Sequence, residues 1–362
     1  MNNISINNEA CNNITWQLIN NVNELHEIEE QWQSLALESP NSTPFSSPKW
    51  ILNWYQIYWQ DNWELSTLAG YINNKLVVLF PSYIQHSPQW PYIKVMFPLG
   101  QGEPEDAEIS SEYCDIIVSA GLESIILPEL LSELAELNID QIIWNAALQN
   151  SHIIKLLERA YEYKSITSHY RYQIECSKWA LQSLSKNTRS RYKRSNNQLK
   201  KINASFNWVH SKDYEKYTLL LIEYHQALWK TRGSQGAFSQ PNFKNFHNQY
   251  RNSDSVKISA IIVDNIPIAI NYYFSDKTTL YFYQCGWDSN NYANFSLGLS
   301  LHLWSIENCY HNYYDFMMGD INNSYKSKYG AQQSLMSNIA INIKPRKVLI
   351  SKVINKMRSF IT

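Results

Sequence analysis

Cysteine is scarce in this chain: five in 362 residues, at Cys11, Cys114, Cys176, Cys285 and Cys309. The number is odd and no CxxC pair occurs, which argues against a disulfide framework or a cysteine zinc site and for a reducing compartment. An excess of one charge is also missing. Lys and Arg total 31 against 32 Asp and Glu, so no net field steers the chain toward nucleic acid. The nine histidines show no metal-ligand spacing, so no metal is expected. No apolar run is long enough to span a bilayer, and the opening MNNISINNEACNN lacks the basic-then-apolar layout of a signal peptide. These absences together predict a cytoplasmic protein.

What is abundant is aromatic: 14% of the chain, with 25 Tyr and 13 Trp. Such side chains fill cores and line acyl or sugar pockets. The length suits two domains, each able to bury a core of its own. After a polar leader (1–20) the pattern predicts a helix over 22–37. Ser47-Pro48, a cap followed by proline in the first turn, opens a helix carrying Trp50, Trp54 and Tyr58 on one stripe. Strands are predicted at 64–72 and 76–84 around the turn Asn73-Asn74, then at 93–97 and 113–118 about an acidic loop, 100–112. A helix at 122–137, a strand at 141–147 and a helix at 151–163 complete a mixed α/β lobe, 21–168. The second lobe, 169–343, opens with a strand at 170–176. Helices follow at 179–202 and 211–230, then a third helix beyond the loop 232–240. A three-stranded meander through 256–287 turns at Asp264-Asn265 and Asp276-Lys277, and a basic tail, 344–362, closes the chain.

The segment 279–330 carries the chemistry. The strand LYFYQCGWD leads through NNYANFS into the helix LGLSLHLWSIENCY and on to the strand YYDFMMG. Ser296 is read as the cap of that helix, with Leu297, Gly298 and Leu299 in its first turn and Leu299, Leu303, Ile306 and Tyr310 as its apolar stripe. A helix start offers unbonded N–H groups and a positive dipole end, which suit a pyrophosphate, and glycine permits close approach. Ser followed by Gly is also how an ordinary helix begins.

Several stretches, in order across about two hundred residues, resemble the CelD/BioF2-like branch of the GNAT acyltransferases, distant relatives of the FemABX peptidyltransferases. They are Thr43-Pro44-Phe45 with Ser47-Pro48-Lys49-Trp50, Leu184-Ser185 through Arg189, Arg191 and Arg194, and Leu228-Trp229-Lys230-Thr231-Arg232-Gly233. Pro267-Ile268-Ala269, Tyr283 with Gly286-Trp287-Asp288, Ser296-Leu297-Gly298, Tyr314-Asp315-Phe316 with Gly319-Asp320, and Tyr325-Lys326 complete the series. The resemblance implies a mixed α/β fold of tandem GNAT-like lobes, the acyl donor held mainly by the second. It implies an N-acyltransferase that moves an acyl group, acetyl first among them, from an acyl-CoA to a small-molecule amine or amino sugar by direct attack. The chain departs from the two-glycine GNAT phosphate loop, since Leu299 and Ser300 follow Gly298.

Direct attack needs a proton acceptor, an oxyanion donor and a proton source for the thiolate. Asp315, Asp320 and His225 are the candidate bases, and Tyr283 or Tyr325 the candidate acid. Ser296, Leu297, Gly298 and Leu299, with Arg189 and Arg194, are the candidate donor-binding residues. Trp229, Arg232, Tyr325 and Lys326 are candidates to contact the acceptor. Each has a structural alternative: a strand carboxylate paired with Arg, a packed histidine, a core tyrosine, a surface lysine. The acid-free run Lys186–Lys201 is either a solvated helix face or an anion site for phosphates or a charged tRNA. Two further functions stay open: a non-catalytic binding or assembly protein with a degenerate GNAT fold, and FemABX-like aminoacyl transfer from charged tRNA. In the tail, Leu349, Ile350, Val353, Ile354, Met357 and Ile361 recur at helical spacing among six cations and no acid. That pattern fits either a packed terminal helix or peripheral contact with the inner membrane face.

Overall fold

The computed structural model describes residues 14–161, 165–231, 233, 235–320 and 324–358. They form two compact units, each mixed α/β. One comprises 14–102, 110–168 and the residues from 337 on; the other comprises 103–109 and 169–336.

The first unit opens with β1 (Thr15–Ile19), inside the stretch read as a polar leader, then α1 (Val22–Glu27) and α2 (Glu29–Glu38). In α3 (Pro48–Tyr58) the Ser47 hydroxyl accepts from the Trp50 N–H, and Trp50, Trp54 and Tyr58 are buried. The two strands predicted at 64–72 and 76–84 each break in two: β2 (Trp63–Leu65) and β3 (Thr67–Ile72), β4 (Lys75–Phe80) and β5 (Ser82–His86). At the breaks, Ser66 N–H donates to Ser82 O and the Ser82 hydroxyl to Ser66 O, and Pro81 has no N–H to offer a ladder. The halves join different sheets. β3 and β4 pair as a hairpin whose turn residues Asn73 and Asn74 both have positive φ, 51° and 62°, while β2 pairs with β5.

β6 (Lys94–Pro98), β7 (Ile117–Val118), α4 (Glu123–Glu136), β8 (Gln141–Leu148) and α5 (His152–Ala160) follow. β6 and β8 run parallel, with α4 in the connection between them, and pair only at Val95–Gln141 and Met96–Ile142. Beyond that point the chain fills the gap itself. The Gln101 amide donates to Ser111 O and Asn145 O and accepts from the Asn145 N–H, and the Trp144 indole donates to Cys114 O.

The second unit takes β9 (Ser165–Glu175), α6 (Lys186–Lys201), β10 (Ser205–Trp208), α7 (Tyr214–Thr231) and α8 (Pro241–Tyr250). α6 starts later than predicted, because Ser185 caps it by accepting from the Thr188 N–H. The meander is β11 (Val256–Val263), β12 (Ile266–Ser275) and β13 (Thr279–Trp287), turning at Asp264 and Asn265, again both at positive φ. Gly286 lets α7 lie on β13: a Cβ there would stand 2.9 Å from the Leu221 carbonyl oxygen. α9 (Leu297–Glu307) then crosses to β14 (Tyr313–Gly319), which pairs with β13 in parallel and with β9 antiparallel. α9 is apolar on nearly every side and correspondingly buried; Tyr310, placed on its stripe by the sequence, lies past its end and is exposed. β15 (Gln332–Asn342) carries the chain back to the first unit, where α10 (Pro345–Arg358) ends the described residues.

Candidate active site

β13 and β14 pair only from Thr279–Tyr313 to Tyr281–Asp315. Past that point they part, and the reason lies in β14. Met317 adopts φ 62°, a left-handed conformation costly for a side-chain-bearing residue, and the register with β9 slips between Asp315 and Met318. Asp315 and Lys326 stabilise this bulge. The buried Asp315 carboxylate accepts from the Met317 N–H at 2.7 Å and from Arg171 Nε at 2.5 Å. Lys326 Nζ donates to Phe316 O at 2.7 Å and also to Met318 O. Burial pushes the Asp315 pKa up, with Arg171 opposing.

The parting leaves a cleft of about 810 Å³ within the second unit. The diverging half of β13 lines it with Phe282, Tyr283, Gln284, Cys285 and Trp287. α9 contributes its first turn, Leu297 to Leu299, together with the preceding Ser296. α6 contributes Arg191, α7 His225 and Trp229, and the turn after β14 Tyr325, Lys328 and Tyr329. Among the described residues, Arg191 and Lys328 are the charged side chains of this lining, and it holds no carboxylate.

Ser296 differs from its predicted role. It precedes α9 at φ 50°, a left-handed conformation, and its side chain makes no cap hydrogen bond; its hydroxyl instead accepts from Arg191 Nη2 at 3.5 Å. The helical ladder starts at the Ser300 N–H, which donates to Ser296 O. The N–H groups of Leu297, Gly298 and Leu299 therefore have no carbonyl within the helix. The nearest atoms to a Cβ on Gly298 would be those of the Trp287 ring, at 3.4 Å and beyond, an ordinary contact. α6 is fastened to α9 by Ser195, whose hydroxyl donates to Phe295 O and accepts from Ser300 Oγ.

His225 Nε2 accepts from the Trp229 indole N–H at 2.9 Å, one helical turn away, so that nitrogen carries no proton. The Tyr283 hydroxyl donates to Ile109 O at 2.7 Å and stands 3.2 Å from His247 Nε2. Tyr325 is partly exposed, yet desolvation of its hydroxyl, with Cys285 second, pushes its pKa above the ordinary tyrosine value. His302 also lines the cleft, 2.8 Å from the Tyr314 hydroxyl through Nδ1; burial first, then Lys326, depress its pKa to about 3.

The structure thus brings together at one cleft His225, Tyr283, Ser296, Leu297, Gly298, Leu299, Trp229 and Tyr325. It places others outside that lining. Asp315 and Lys326 sit at the bulge. Asp320 follows β14, its carbonyl accepting from the Tyr172 hydroxyl. Arg189 donates to Gln182 O, and Arg194 is exposed on α6. Arg232 lies outside the described residues. Arg191 was singled out in sequence only as one of a basic run. The signal that separates it is helical spacing: it lies three residues after buried Thr188 and four before buried Ser195, the side of α6 turned to α9.

Residues 186–327, which hold nearly all of this lining, match the family model for the acetyltransferase (GNAT) domain. The second unit therefore holds the stretch that matches a GNAT-type acetyltransferase domain. Among solved structures, that of FemX is similar at 10% identity and a TM-score of 0.64, over 88% of this chain and 96% of that one. A conserved protein of unknown function from Bacteroides thetaiotaomicron VPI-5482 is similar at 10% identity and a TM-score of 0.55, over 90% of this chain and 99% of that one. At these identities the likeness is one of fold, and it extends over both units. No curated protein matches the chain.

Proposed function

We propose that the second unit transfers an acyl group, acetyl in the first instance, from a coenzyme A thioester to the amine of a small molecule or amino sugar, as in the CelD/BioF2-like branch. One observation carries this reading. Among the described residues the cleft combines three helix-start N–H groups, two cations and no carboxylate in a space of about 810 Å³, of the size that takes a cofactor. The N–H groups of Leu297, Gly298 and Leu299, with Arg191 beside them, suit the pyrophosphate. The half of β13 that has parted from β14 offers backbone to the amides of an extended thioester arm.

In the transfer a C–N bond forms, the C–S bond breaks, the amine loses a proton and the thiolate gains one. Tyr325 is the proton donor in this scheme, because its hydroxyl lines the cleft and, like any tyrosine's, carries its proton at neutral pH. His225 is the proton acceptor once Trp229 yields its Nε2. Asp315 and Lys326 are positioning residues that hold the strands apart, and Tyr283 fastens residue 109. Free-thiol release from acetyl-CoA with a panel of amines tests the scheme. Tyr325→Phe and His225→Gln should each lower kcat about a hundredfold with donor binding kept. Donor binding without thiol release for any amine would favour a binding or assembly role. One feature favours aminoacyl transfer from charged tRNA as a second reading: Lys186, Lys193, Arg194, Lys200 and Lys201 are all exposed on α6. That reading requires salt-sensitive tRNA binding.

A further inference from the structure

A terminal helix packed on a soluble unit turns its apolar side inward and its charges outward. α10 instead leaves most of its apolar side chains exposed. Lys344 and Lys347 are drawn to the body of the first unit, at 3.0 and 2.6 Å from the buried Asp140 carboxylate. Val348 and Ser351 are the buried positions of α10. Leu349, Ile350, Val353 and Met357 are 62%, 46%, 44% and 57% exposed. At 100° per residue these four fall within one sector of about 100°, opposite the buried positions. Arg346 lies inside that sector and Lys352 on its flank, both exposed.

A second apolar element is tied to the same helix. Arg358 at its end donates to Gln89 Oε1 at 2.5 Å. Gln89 belongs to the loop between β5 and β6, which is closed by the Ser87 N–H on Ile93 O. Next to Gln89, Trp90 is 58% exposed, and Tyr92 is 63% exposed. Amphipathic rings of this kind favour the boundary between water and lipid.

We propose that this face of the first unit, α10 with the 87–93 loop, docks on an anionic lipid surface. The charge complementarity is specific: α10 carries six-residue spacing between exposed Arg346 and Lys352 around exposed apolar side chains, and no acid occurs from 344 to 362. A helix of this type lies in the headgroup plane with its apolar side submerged and its cations among phosphates. Among the described residues no helix is long and apolar enough to cross a membrane, so the contact is peripheral.

Cosedimentation of the full chain with phosphatidylcholine–phosphatidylglycerol vesicles, against pure phosphatidylcholine vesicles, tests this. Binding should require the anionic lipid and weaken with salt. The exposed-site variant Leu349→Ser/Val353→Ser/Met357→Ser should keep its melting temperature and lose about tenfold or more in vesicle partition. Arg346→Glu/Lys352→Glu should lose binding to the anionic vesicles alone. Thiol release in solution should be unchanged in both, which keeps this test separate from that of the acyl-transfer site. The proposal is overturned if the wild-type chain ignores anionic vesicles at low salt, or if the serine variant binds them as well as wild type. It is equally overturned if the serine substitutions instead abolish self-association of the chain, since a second copy would then be what covers this face.

Discussion

Each unit contains two parallel strands joined through a helix, and the two crossovers end differently. In the first unit β6 and β8 pair over two positions and in the second β13 and β14 over three, after which each pair separates. Each later strand holds a left-handed residue, Ala146 at φ 53° and Met317 at φ 62°. In the first unit the gap is plugged by Gln101 and its bonds to Ser111 and Asn145, and a void of only about 10 Å³ lies near it, between Pro98, Leu99 and Trp144. In the second it remains open as a cleft of about 810 Å³. The crossing helices differ as well. α4 has Glu123 in its first turn, whereas α9 has no acid there. A carboxylate at a helix start competes with any anion for the same N–H groups. One architecture therefore yields a filled core in one unit and an open cleft in the other, by what occupies the gap and what sits in the first turn.

The largest effect expected is at the bulge that keeps the second gap open. Asp315→Asn removes the buried charge paired with Arg171 and should cost the second unit about 3 kcal/mol or more, measured by urea unfolding. It should also weaken donor binding, because the strands lose the feature that parts them. A change limited to activity, with stability intact, would contradict the positioning role.

A smaller loss is expected on the filled side. Gln101→Ala removes bonds to Ser111 and Asn145 and should cost about 2 kcal/mol in unfolding experiments. Donor binding should not change. If it did, the gap in the first unit would be more than core.

The smallest separation is in pH. Burial depresses His247 and His302, both in the second unit, to about 3, so both stay neutral when folded. The unfolded chain takes up these protons first, near its ordinary histidine pKa of about 6.5. Their stabilising contribution is therefore complete above that pH and is lost as the pH falls toward 3. In the first unit, desolvation of Asp140 is outweighed by Lys347, the Lys94 N–H and Lys344, and its pKa is lowered. That contribution persists above about 3.9 and is lost only below it, as pH falls through the depressed value. Asp115 and Asp315, one in each unit, are both raised by burial and enter the comparison alike. Hydrogen exchange followed from pH 7 downward should show the second unit loosening first.

What was legible in the sequence was local. Asn73-Asn74 and Asp264-Asn265 announced their turns because those residues tolerate positive φ, and Ser47-Pro48 announced α3 through its cap. The strand breaks at Ser66 and Pro81 were hidden because hydrophobicity continues across them while the partner strand changes. The strand–helix–strand segment led to the cleft, since the helix start that lines it is itself a local feature. The bonds of Asp315 to Arg171 and of Lys326 to Phe316 O were not readable. A strand carboxylate and a lysine after it look the same in sequence whether they face a ligand or hold a bulge, and the deciding partner of Asp315 is 144 residues away. The tail showed its amphipathic pattern plainly, but periodicity says nothing of which side faces the protein.

In the proposed function, an open gap with an acid-free helix start makes the second unit the donor site. Isothermal titration of acetyl-CoA into the wild-type chain and into Gly298→Glu tests it most directly. The substitution places in α9 the carboxylate that α4 already has, at a position where the nearest atoms to a Cβ are those of the Trp287 ring, at ordinary contact distance. Saturable binding to wild type is expected, with a loss of about a hundredfold or more in the variant and its unfolding transition preserved. Equal affinity in the two proteins would contradict it.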